Sequence, residues 1–206
     1  MFVTFEGIEG SGKSTLMAAV CAELQAGGAT CLLTREPGGT PLGERLRAVF
    51  LDPAARIDGL AEIFLLSAAR AQHVVELIQP ALKRNETVLC DRFYDSTVAY
   101  QGYGRGLDTG MLIELSRMAT AGLEPDVTFL LDLPVALSRR RVAQRNSEAS
   151  TVDDRLEREK AEFYQRARSG YLQLAARYAR FVVLDAEQPV DSLLESALAA
   201  LAARTA

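Results

Sequence analysis

Short apolar runs alternate along the chain with longer segments in which apolar residues recur every three or four positions. The apolar runs predict β-strands at Phe2–Phe5, Cys31–Thr34, Thr87–Cys90, Val127–Leu131 and Phe181–Leu184. The longer segments predict α-helices at Lys13–Gln25, Leu42–Leu51, Leu60–Arg84, Met111–Ala119, Val135–Gln144, Asp154–Tyr178 and Asp191–Ala203. Strands without polar alternation, separated by helices, indicate a parallel sheet that helices cover on both faces. The pattern therefore predicts a three-layer α/β fold with a five-stranded parallel sheet, in one domain over residues 1–206.

The composition and charge of the chain narrow the class of protein further. The chain has 206 residues, of which 49% are hydrophobic, and this is enough for one full core. A formal net charge of −4 provides no basic field for nucleic acid. The apolar opening ends at Glu6, too early for a signal peptide, and no window reaches the ~18 apolar residues of a membrane span. We therefore expect a cytoplasmic protein that binds neither nucleic acid nor membranes.

The cysteines and the single histidine give no sign of a metal site. Cys21, Cys31 and Cys90 lie in apolar surroundings without the spacing of metal ligands, which is typical of buried thiols in a reducing compartment. His73 lies in a helical segment with no second ligand at a useful offset. We expect these four side chains to be structural.

Polar and glycine-rich residues follow the strands, at the sheet edge where parallel α/β proteins bind ligands. The first strand leads into Gly7-Ile8-Glu9-Gly10-Ser11-Gly12-Lys13-Ser14, which matches the phosphate-loop pattern G-x-x-x-x-G-K-[ST] between a strand and a helix. The backbone N–H groups of such a loop, continuing to Thr15, surround phosphate oxygens at the positive end of the helix. Lys13 would reach the β- and γ-phosphates, and the Ser14 hydroxyl would bind Mg²⁺.

A second polar pair, Asp91-Arg92, follows the third strand. The carboxylate suits a contact with Mg²⁺ and its water, and the arginine suits a bidentate grip on the phosphate of a second substrate. A structural ion pair is the simpler alternative. A GTPase would carry the guanine-reading Asn-Lys-x-Asp, which this sequence lacks. The two motifs together favour a kinase that brings two phosphorylated substrates to one site.

These motifs and several others occur together in one known family, because the chain resembles the bacterial type of thymidylate kinase over nearly its whole length. The further motifs that carry the resemblance are Thr34-Arg35-Glu36-Pro37-Gly38-Gly39-Thr40, Ala68-Ala69-Arg70-Ala71-Gln72, Asp91-Arg92-Phe93 with Ser96-Thr97, Tyr100-Gln101-Gly102-Tyr103-Gly104-Arg105-Gly106, Pro125-Asp126-Val127-Thr128 and Asp154-Arg155-Leu156-Glu157. The resemblance implies a P-loop kinase fold, ATP as the donor with Mg²⁺, and dTMP as the acceptor in dTTP synthesis. It also implies a homodimer packed through helices.

The resemblance also implies roles for individual residues of the substrate site. Arg92 would hold the dTMP phosphate, and Arg70 would hydrogen-bond the edge of thymine. Thr97 and Gln101 would complete base recognition, and Tyr100 would fill the space of a ribose 2′-hydroxyl. Three more charged residues would contact the sugar, order Mg²⁺ and water, or line the same pocket: Glu9, Glu36 and Arg47.

Arginines flank a polar run, Asn146–Thr151, which predicts a flexible loop between two helices. Phosphoryl transfer needs positive charge over the transferring group, and a closing lid can supply it. We expect a lid at residues 141–155, with Arg145 and Arg155 nearest to the transferring phosphate. A solvated, arginine-rich helix face is the alternative. By resemblance, Ala186-Glu187-Gln188-Pro189 would lie beside adenine.

Two other functions stay open at this point. The chain could be a kinase for another nucleotide or nucleoside, since it departs from the family at one base-contacting position. It could also be a regulatory protein in which nucleotide hydrolysis acts as a switch. An acceptor requirement for ATP consumption separates both kinases from the switch.

The departure from the family lies at Leu66, where relatives carry a phenylalanine that stacks on thymine. Phe64 cannot replace that ring, because it lies roughly 160° around the helix from Leu66. Loss of the aromatic contact costs ~0.5–1.5 kcal/mol, so we expect a high KM for dTMP or relaxed base choice. Leu66→Phe should therefore tighten dTMP binding, measured by titration calorimetry. An unchanged dTMP affinity in the folded variant would contradict this expectation.

Overall fold

The computed structural model describes residues 1–149 and 153–205, without the side chain of Thr205. Its sheet has five parallel strands in the order β2-β3-β1-β4-β5. The strands are β1 Phe2–Glu6, β2 Cys31–Arg35, β3 Thr87–Asp91, β4 Val127–Asp132 and β5 Phe181–Asp185. The predicted five-stranded parallel sheet is thus confirmed, and each strand runs one residue further than its apolar run because polar end residues such as Arg35 and Asp91 still pair.

Helices cover both faces of the sheet, as the apolar strands predict. They are α1 Lys13–Ala26, α2 Pro41–Leu51, α3 Gly59–His73, α4 Gln79–Lys83, α5 Tyr94–Thr97, α6 Thr109–Ala119, α7 Val135–Ala149, α8 Ala161–Arg177 and α9 Val190–Thr205. Val3 and Phe5 of β1 pack with Leu16 of α1 and Ala197 of α9 on one face. On the other face the core includes Phe163 and Tyr171 of α8. None of the helices in the described ranges is both long and apolar enough to cross a membrane.

The structure contains two π-helical segments that periodicity did not predict. Val74–Ile78 joins α3 to α4, so the predicted helix Leu60–Arg84 is a composite of three segments. Val98–Gly104 continues α5, in a stretch for which the sequence pattern predicted no helix. Its glycines allow close packing on α8, since a Cβ on Gly104 would lie 2.7 Å from the Phe163 ring. Tyr100 and Gln101 therefore sit on a helical turn that packs against α8.

The predicted loop and helix around the lid are both corrected by the structure. Helix α7 extends to Ala149, so residues 146–149 of the predicted loop are helical, while residues 150–152 lie outside the described residues. The next helix begins at Ala161 and not at Asp154. The reason is local, because Asp154 Oδ1 accepts hydrogen bonds from the backbone N–H groups of Leu156 at 2.8 Å and Glu157 at 2.9 Å. Such side-chain bonds to the backbone compete with helix formation.

The carboxyl group of Glu6, at the end of β1, is fully buried and joins three elements. It accepts hydrogen bonds from the backbone N–H of Phe93 at 2.7 Å, the Ser96 hydroxyl at 2.6 Å and the Tyr171 hydroxyl at 2.8 Å. Burial and the nearby charge of Asp95 raise the pKa of Glu6 to about 7, although Arg92 opposes the shift. The end of β1, the turn after β3 and helix α8 are therefore held to one group.

The raised pKa of Glu6 predicts a specific dependence of stability on pH. The folded protein binds the proton of Glu6 more tightly than the unfolded chain, whose pKa is near 4.5. The stability that Glu6 contributes is therefore complete below that value and is lost as the pH rises through about 7. We expect the free energy of unfolding of the wild type, relative to Glu6→Gln, to fall by roughly 2–3 kcal/mol between about pH 5 and about pH 8. Denaturant titrations of both proteins measure it, and parallel pH profiles would contradict it.

Candidate active site

The phosphate loop between β1 and α1 is closed by glycines that no other residue could replace without strain. Gly7 has φ 138°, and a Cβ there would lie 2.5 Å from the carbonyl oxygen of Leu131. Gly12 caps α1 in the left-handed region, with φ 92°. The loop therefore ends on the first turn of α1, whose free N–H groups and positive dipole end suit phosphate oxygens.

The two polar side chains after Gly12 point to different parts of the loop. Lys13 lies over it, and its Nζ donates to the carbonyl oxygens of Gly7 at 3.2 Å and Ile8 at 3.0 Å. The Ser14 hydroxyl donates to Asp91 Oδ2 at 2.7 Å. The second carboxylate oxygen, Asp91 Oδ1, is buried and has no hydrogen-bond partner within residues 1–149 and 153–205. The hydroxyl and the free oxygen are hard donors of the kind that Mg²⁺ prefers.

Arg92 is fixed in front of the phosphate loop by five hydrogen bonds. One terminal nitrogen donates to the Gly7 carbonyl at 2.9 Å, the Ser96 hydroxyl at 3.1 Å and the Tyr171 hydroxyl at 3.2 Å. The other donates to Glu9 Oε1 at 2.5 Å and the Tyr100 hydroxyl at 3.3 Å. The backbone of Arg92 has φ 71°, a left-handed conformation that costs a non-glycine residue roughly 1–2 kcal/mol. The contacts of the side chain offset that strain.

The direction of the Ser96 and Tyr171 hydroxyl protons explains why both oxygens can accept hydrogen bonds from Arg92. Ser96 and Tyr171 both donate to the buried carboxyl group of Glu6, so their oxygen lone pairs are left to accept from Arg92. Glu9, at the other end of the guanidinium, is partly buried, and its desolvation acts to raise its pKa. The charges of Arg92 and Lys13 outweigh that effect and lower the pKa of Glu9 to about 2. Glu9 is therefore a fixed negative charge at neutral pH.

All eight residues predicted to bind the second substrate line one cavity next to the phosphate loop, which we call the base cavity. They are Glu36, Arg47, Leu66, Arg70, Arg92, Thr97, Tyr100 and Gln101. A second cavity, the phosphate cleft, is lined by Lys13, Ser14 and Asp91, among others. Glu9, Glu36, Arg47, Arg92 and Arg145 line both. The two cavities therefore adjoin, with the guanidinium of Arg92 at their junction.

Arg70 is buried deep in the base cavity, and a chain of polar contacts fixes the orientation of its side chain. Its Nε donates to Glu36 Oε2 at 2.7 Å and one terminal nitrogen donates to the Thr97 hydroxyl at 3.1 Å. Glu36 Oε1 lies 3.0 Å from His73 Nδ1, and His73 Nε2 lies 2.7 Å from the Thr34 hydroxyl. His73 thus has a structural role, as expected, but it supports the site directly. The other terminal nitrogen of Arg70 is buried without a hydrogen-bond partner among the described residues.

The apolar wall of the base cavity bears on the departure at Leu66. Leu66 is buried and lines the cavity, whereas Phe64 is 56% exposed, so the two side chains lie on different sides of α3. Tyr100 packs edge-on against the rings of Phe163, Tyr164 and Tyr171. Three such neighbours leave its ring no freedom to move.

The arginines expected in the lid have different surroundings in the structure. Arg145 lines both cavities and contacts Glu157. Arg155 lines neither, because its Nε donates to the carbonyl oxygen of Phe50 at 2.9 Å and its guanidinium contacts Glu62. Arg141, at the start of the expected lid, donates to the carbonyl oxygens of Gly10 at 3.4 Å and Ala186 at 3.1 Å. Arg141 therefore joins the phosphate loop to the segment after β5.

Several side chains that shape the site were missed from the sequence. Tyr171 and Glu62 sit in helical segments of ordinary period and carry no local motif. Phe50 and Leu51 line the base cavity from the end of α2. Ser96 and Asp154 also line it, but both belong to motifs of the family pattern. Only packing brings the others together.

Comparisons with known proteins agree with this architecture. A family model for thymidylate kinase matches residues 5–197, a range that contains every residue named above in the two cavities. The thymidylate kinase of Solidesulfovibrio magneticus is 54% identical over 200 residues, which cover 95% of this chain and 96% of that protein. The thymidylate kinase of Deinococcus radiodurans is 50% identical over 205 residues, which cover 99% of this chain and 97% of that protein.

A solved structure matches the fold as well as the sequence. The crystal structure of thymidylate kinase from Ehrlichia chaffeensis aligns with a TM-score of 0.73 at 36% identity, and the alignment covers 89% of this chain and 91% of that one. The expected resemblance is confirmed, and the chain belongs to the thymidylate kinase family.

Proposed function

We propose that the protein transfers the γ-phosphoryl group of ATP to dTMP, giving dTDP and ADP. One observation carries the proposal: Arg92 lines both the phosphate cleft and the base cavity, so a phosphate held by it lies beside the loop that would hold ATP. ATP as the donor follows from membership of the family. A cytoplasmic location and a single domain over residues 1–206 complete the proposal.

Mg²⁺ belongs to the proposal because the donor set fits it. Ser14 offers a hydroxyl oxygen, and the buried Asp91 Oδ1 lacks a partner within the described chain. The described residues contain no group of three or more His, Cys, Asp and Glu side chains that could hold a metal by themselves. That agrees with a cation held chiefly by phosphates and water, as Mg²⁺ is in such enzymes. The ion would neutralise charge on the β- and γ-phosphates.

The proposed chemistry is an in-line displacement at the γ-phosphorus. An oxygen of the dTMP phosphate forms the new bond, and the bond from the γ-phosphorus to the bridging oxygen of ADP breaks. A phosphate monoester has its second pKa at about 6, so the nucleophile is already charged and needs no strong general base. Lys13 and Arg92 would supply positive charge and alignment, and Glu9 would hold the Arg92 guanidinium in place.

The lid arginine nearest to the transferring phosphate is proposed to be Arg145. It lines both cavities and is half exposed, so its side chain can turn toward a bound phosphate. Arg155 keeps its earlier assignment only if it leaves Glu62, and that buried carboxylate would then lose one of its two guanidinium partners. In the base cavity, Arg70, Thr97 and Gln101 would bind the thymine edge against Leu66, with Tyr100 excluding a 2′-hydroxyl.

The first experiment measures ADP release with Mg²⁺-ATP and a panel of dTMP, dUMP, dCMP, dGMP, UMP, AMP and thymidine. We expect rapid ADP release only with dTMP as acceptor. Lys13→Ala and Arg92→Ala should each lower kcat/KM by at least about two orders of magnitude, because each removes a positive charge from the transition state. The control is Arg84→Ala, which removes an exposed arginine and should leave turnover unchanged.

Each other outcome assigns a different function. Rapid ADP release with another acceptor would keep the kinase chemistry and change the substrate. ADP release that needs no acceptor would support the regulatory switch instead. Near-wild-type turnover in a folded Lys13→Ala or Arg92→Ala protein would refute the role given to that residue.

We also propose that the protein is a homodimer packed through α3. Ala61, Phe64, Ala68, Ala71 and Val75 are all exposed and follow one another at intervals of three and four residues. That spacing forms one apolar stripe along a helix. Val75 is 63% exposed and Phe64 56% exposed. Helix α3 contacts α2 and α6, which add exposed apolar residues in Val49 and Met118.

A charge on this stripe should separate the two copies. Phe64→Glu is expected to be monomeric at micromolar concentration, where the wild type is dimeric, because a buried unpaired carboxylate disfavours association. Size-exclusion chromatography with light scattering measures the mass. Leu172→Glu, which adds a charge on α8, is the control and should stay dimeric. A monomeric wild type, or a dimeric Phe64→Glu, would refute the proposal.

A further inference from the structure

The carboxyl group of Glu62, in the first turn of α3, is completely buried beside the base cavity. It accepts hydrogen bonds from Gln101 Nε2 at 3.0 Å and from Arg105 Nε at 2.8 Å, and it contacts the guanidinium of Arg155. None of the chemistry proposed above uses Glu62. A buried carboxylate is costly to keep, so its contacts call for an explanation.

Glu62 determines which way the amide of Gln101 faces. Each carboxyl oxygen of Glu62 faces a guanidinium group, and because arginine can only donate, both oxygens act as hydrogen-bond acceptors. The side-chain atom of Gln101 that meets it must therefore be the NH₂ group. The atom left for the base cavity, which Gln101 lines, is the carbonyl oxygen Oε1. In the part of the chain that the structure describes, no protein group donates a hydrogen bond to this oxygen.

Arg70 supplies a free hydrogen-bond donor in the same cavity. Its Nε is bound to Glu36 and one terminal nitrogen to Thr97. The remaining terminal nitrogen is buried and lacks a partner among the described residues, and an arginine can only donate. The base cavity therefore presents one free acceptor, Gln101 Oε1, and one free donor, on Arg70.

This pair of groups matches one kind of pyrimidine edge and opposes the other. Thymine and uracil carry a donor at N3–H and an acceptor at O4, whereas cytosine carries an acceptor at N3 and a donor at its 4-amino group. We propose that Glu62 is a positioning residue that makes the site select a thymine-type base over cytosine, by holding the Gln101 amide with its oxygen toward the base. The inference rests on the proposed phosphorylation of dTMP.

The surroundings of Glu62 keep this orientation from reversing. Arg105 also pairs with Glu159 at 2.9 Å, and Arg155 is anchored on Phe50 through its Nε and its position 4.9 Å above the Phe50 ring. Each guanidinium group therefore has a second contact, away from Glu62, that fixes its position. A neutral amide at position 62 has only one acceptor oxygen, so in one of its two orientations an NH₂ group faces Gln101, whose amide must then turn its oxygen away from the base cavity.

The test compares the ratio of kcat/KM for dTMP to kcat/KM for dCMP in the wild type, Glu62→Gln and Glu159→Gln. We expect Glu62→Gln to lower the ratio by at least about tenfold, because the Gln101 amide can then turn and offer its NH₂ group to the base. Glu159→Gln makes the same chemical change in the same ion-pair network without touching Gln101, so it should keep the wild-type ratio. Gln101→Met should lower the ratio too, and adding Glu62→Gln to it should have no further effect.

Each outcome decides between the inference and its rivals. If Glu62→Gln lowers turnover of both substrates equally, Glu62 only supports the structure and the inference is wrong. If Glu159→Gln lowers the ratio as much, the effect belongs to the network and not to Gln101, and the inference is again wrong. A wild type without dTMP turnover would refute the proposed function instead.

A measurement on the wild type covers the case in which Glu62→Gln does not fold. A neutron structure of the perdeuterated protein with dTMP locates the deuterium atoms of the Gln101 amide. We expect them on the atom that faces Glu62. Deuterium on the atom that faces the base would overturn the inference.

Discussion

The carboxyl group of Glu6, at the end of β1, accepts hydrogen bonds from Phe93 in the turn after β3, from Ser96 in α5 and from Tyr171 in α8. Its position follows from the sheet order, because β1 lies at the centre, between β3 and β4. By taking the protons of Ser96 and Tyr171, it leaves their oxygens free to accept from Arg92. The placement of the arginine at the junction of the two cavities thus depends on a group that lines neither.

The remaining parts of the site share one physical feature, which is that their charged groups are buried. Arg70 and Glu36 are both nearly inaccessible to water, and so is Glu62, yet each is paired. A buried ion pair adds little net stability, but removing one partner is expensive. The cost of any other arrangement fixes the directions of the free atoms, which are the unpaired nitrogen of Arg70 and the oxygen of Gln101. The groups proposed to recognise the base are therefore oriented in the absence of a nucleotide.

The fold could be predicted from the sequence in its order and type of elements, but not at two places. The sequence pattern predicted no helix at Val98–Gly104, whereas in the structure the glycines of this segment allow a π-helical turn to pack closely on α8. Near the lid, the helical period of apolar residues extends back to Asp154, and the sequence therefore predicted a helix from that residue. In the structure Asp154 Oδ1 accepts hydrogen bonds from the backbone N–H groups of Leu156 and Glu157, and α8 begins only at Ala161. Both differences arise because local periodicity does not report side-chain bonds to the backbone or contacts with distant elements.

The sequence by itself determined the phosphate loop, the parallel sheet and eight of the residues that line the base cavity, because these depend on local glycine geometry, on apolar runs and on the contiguous motifs that carry the family resemblance. The directions of the side chains were decided only by the tertiary structure. Arg155 contacts Glu62 and not the phosphate cleft, and Tyr171 reaches Glu6 from the far end of the chain. These contacts join residues 93 and 165 positions apart, so no local pattern encodes them. What decides them is the requirement that each buried charge find a partner once the core has formed.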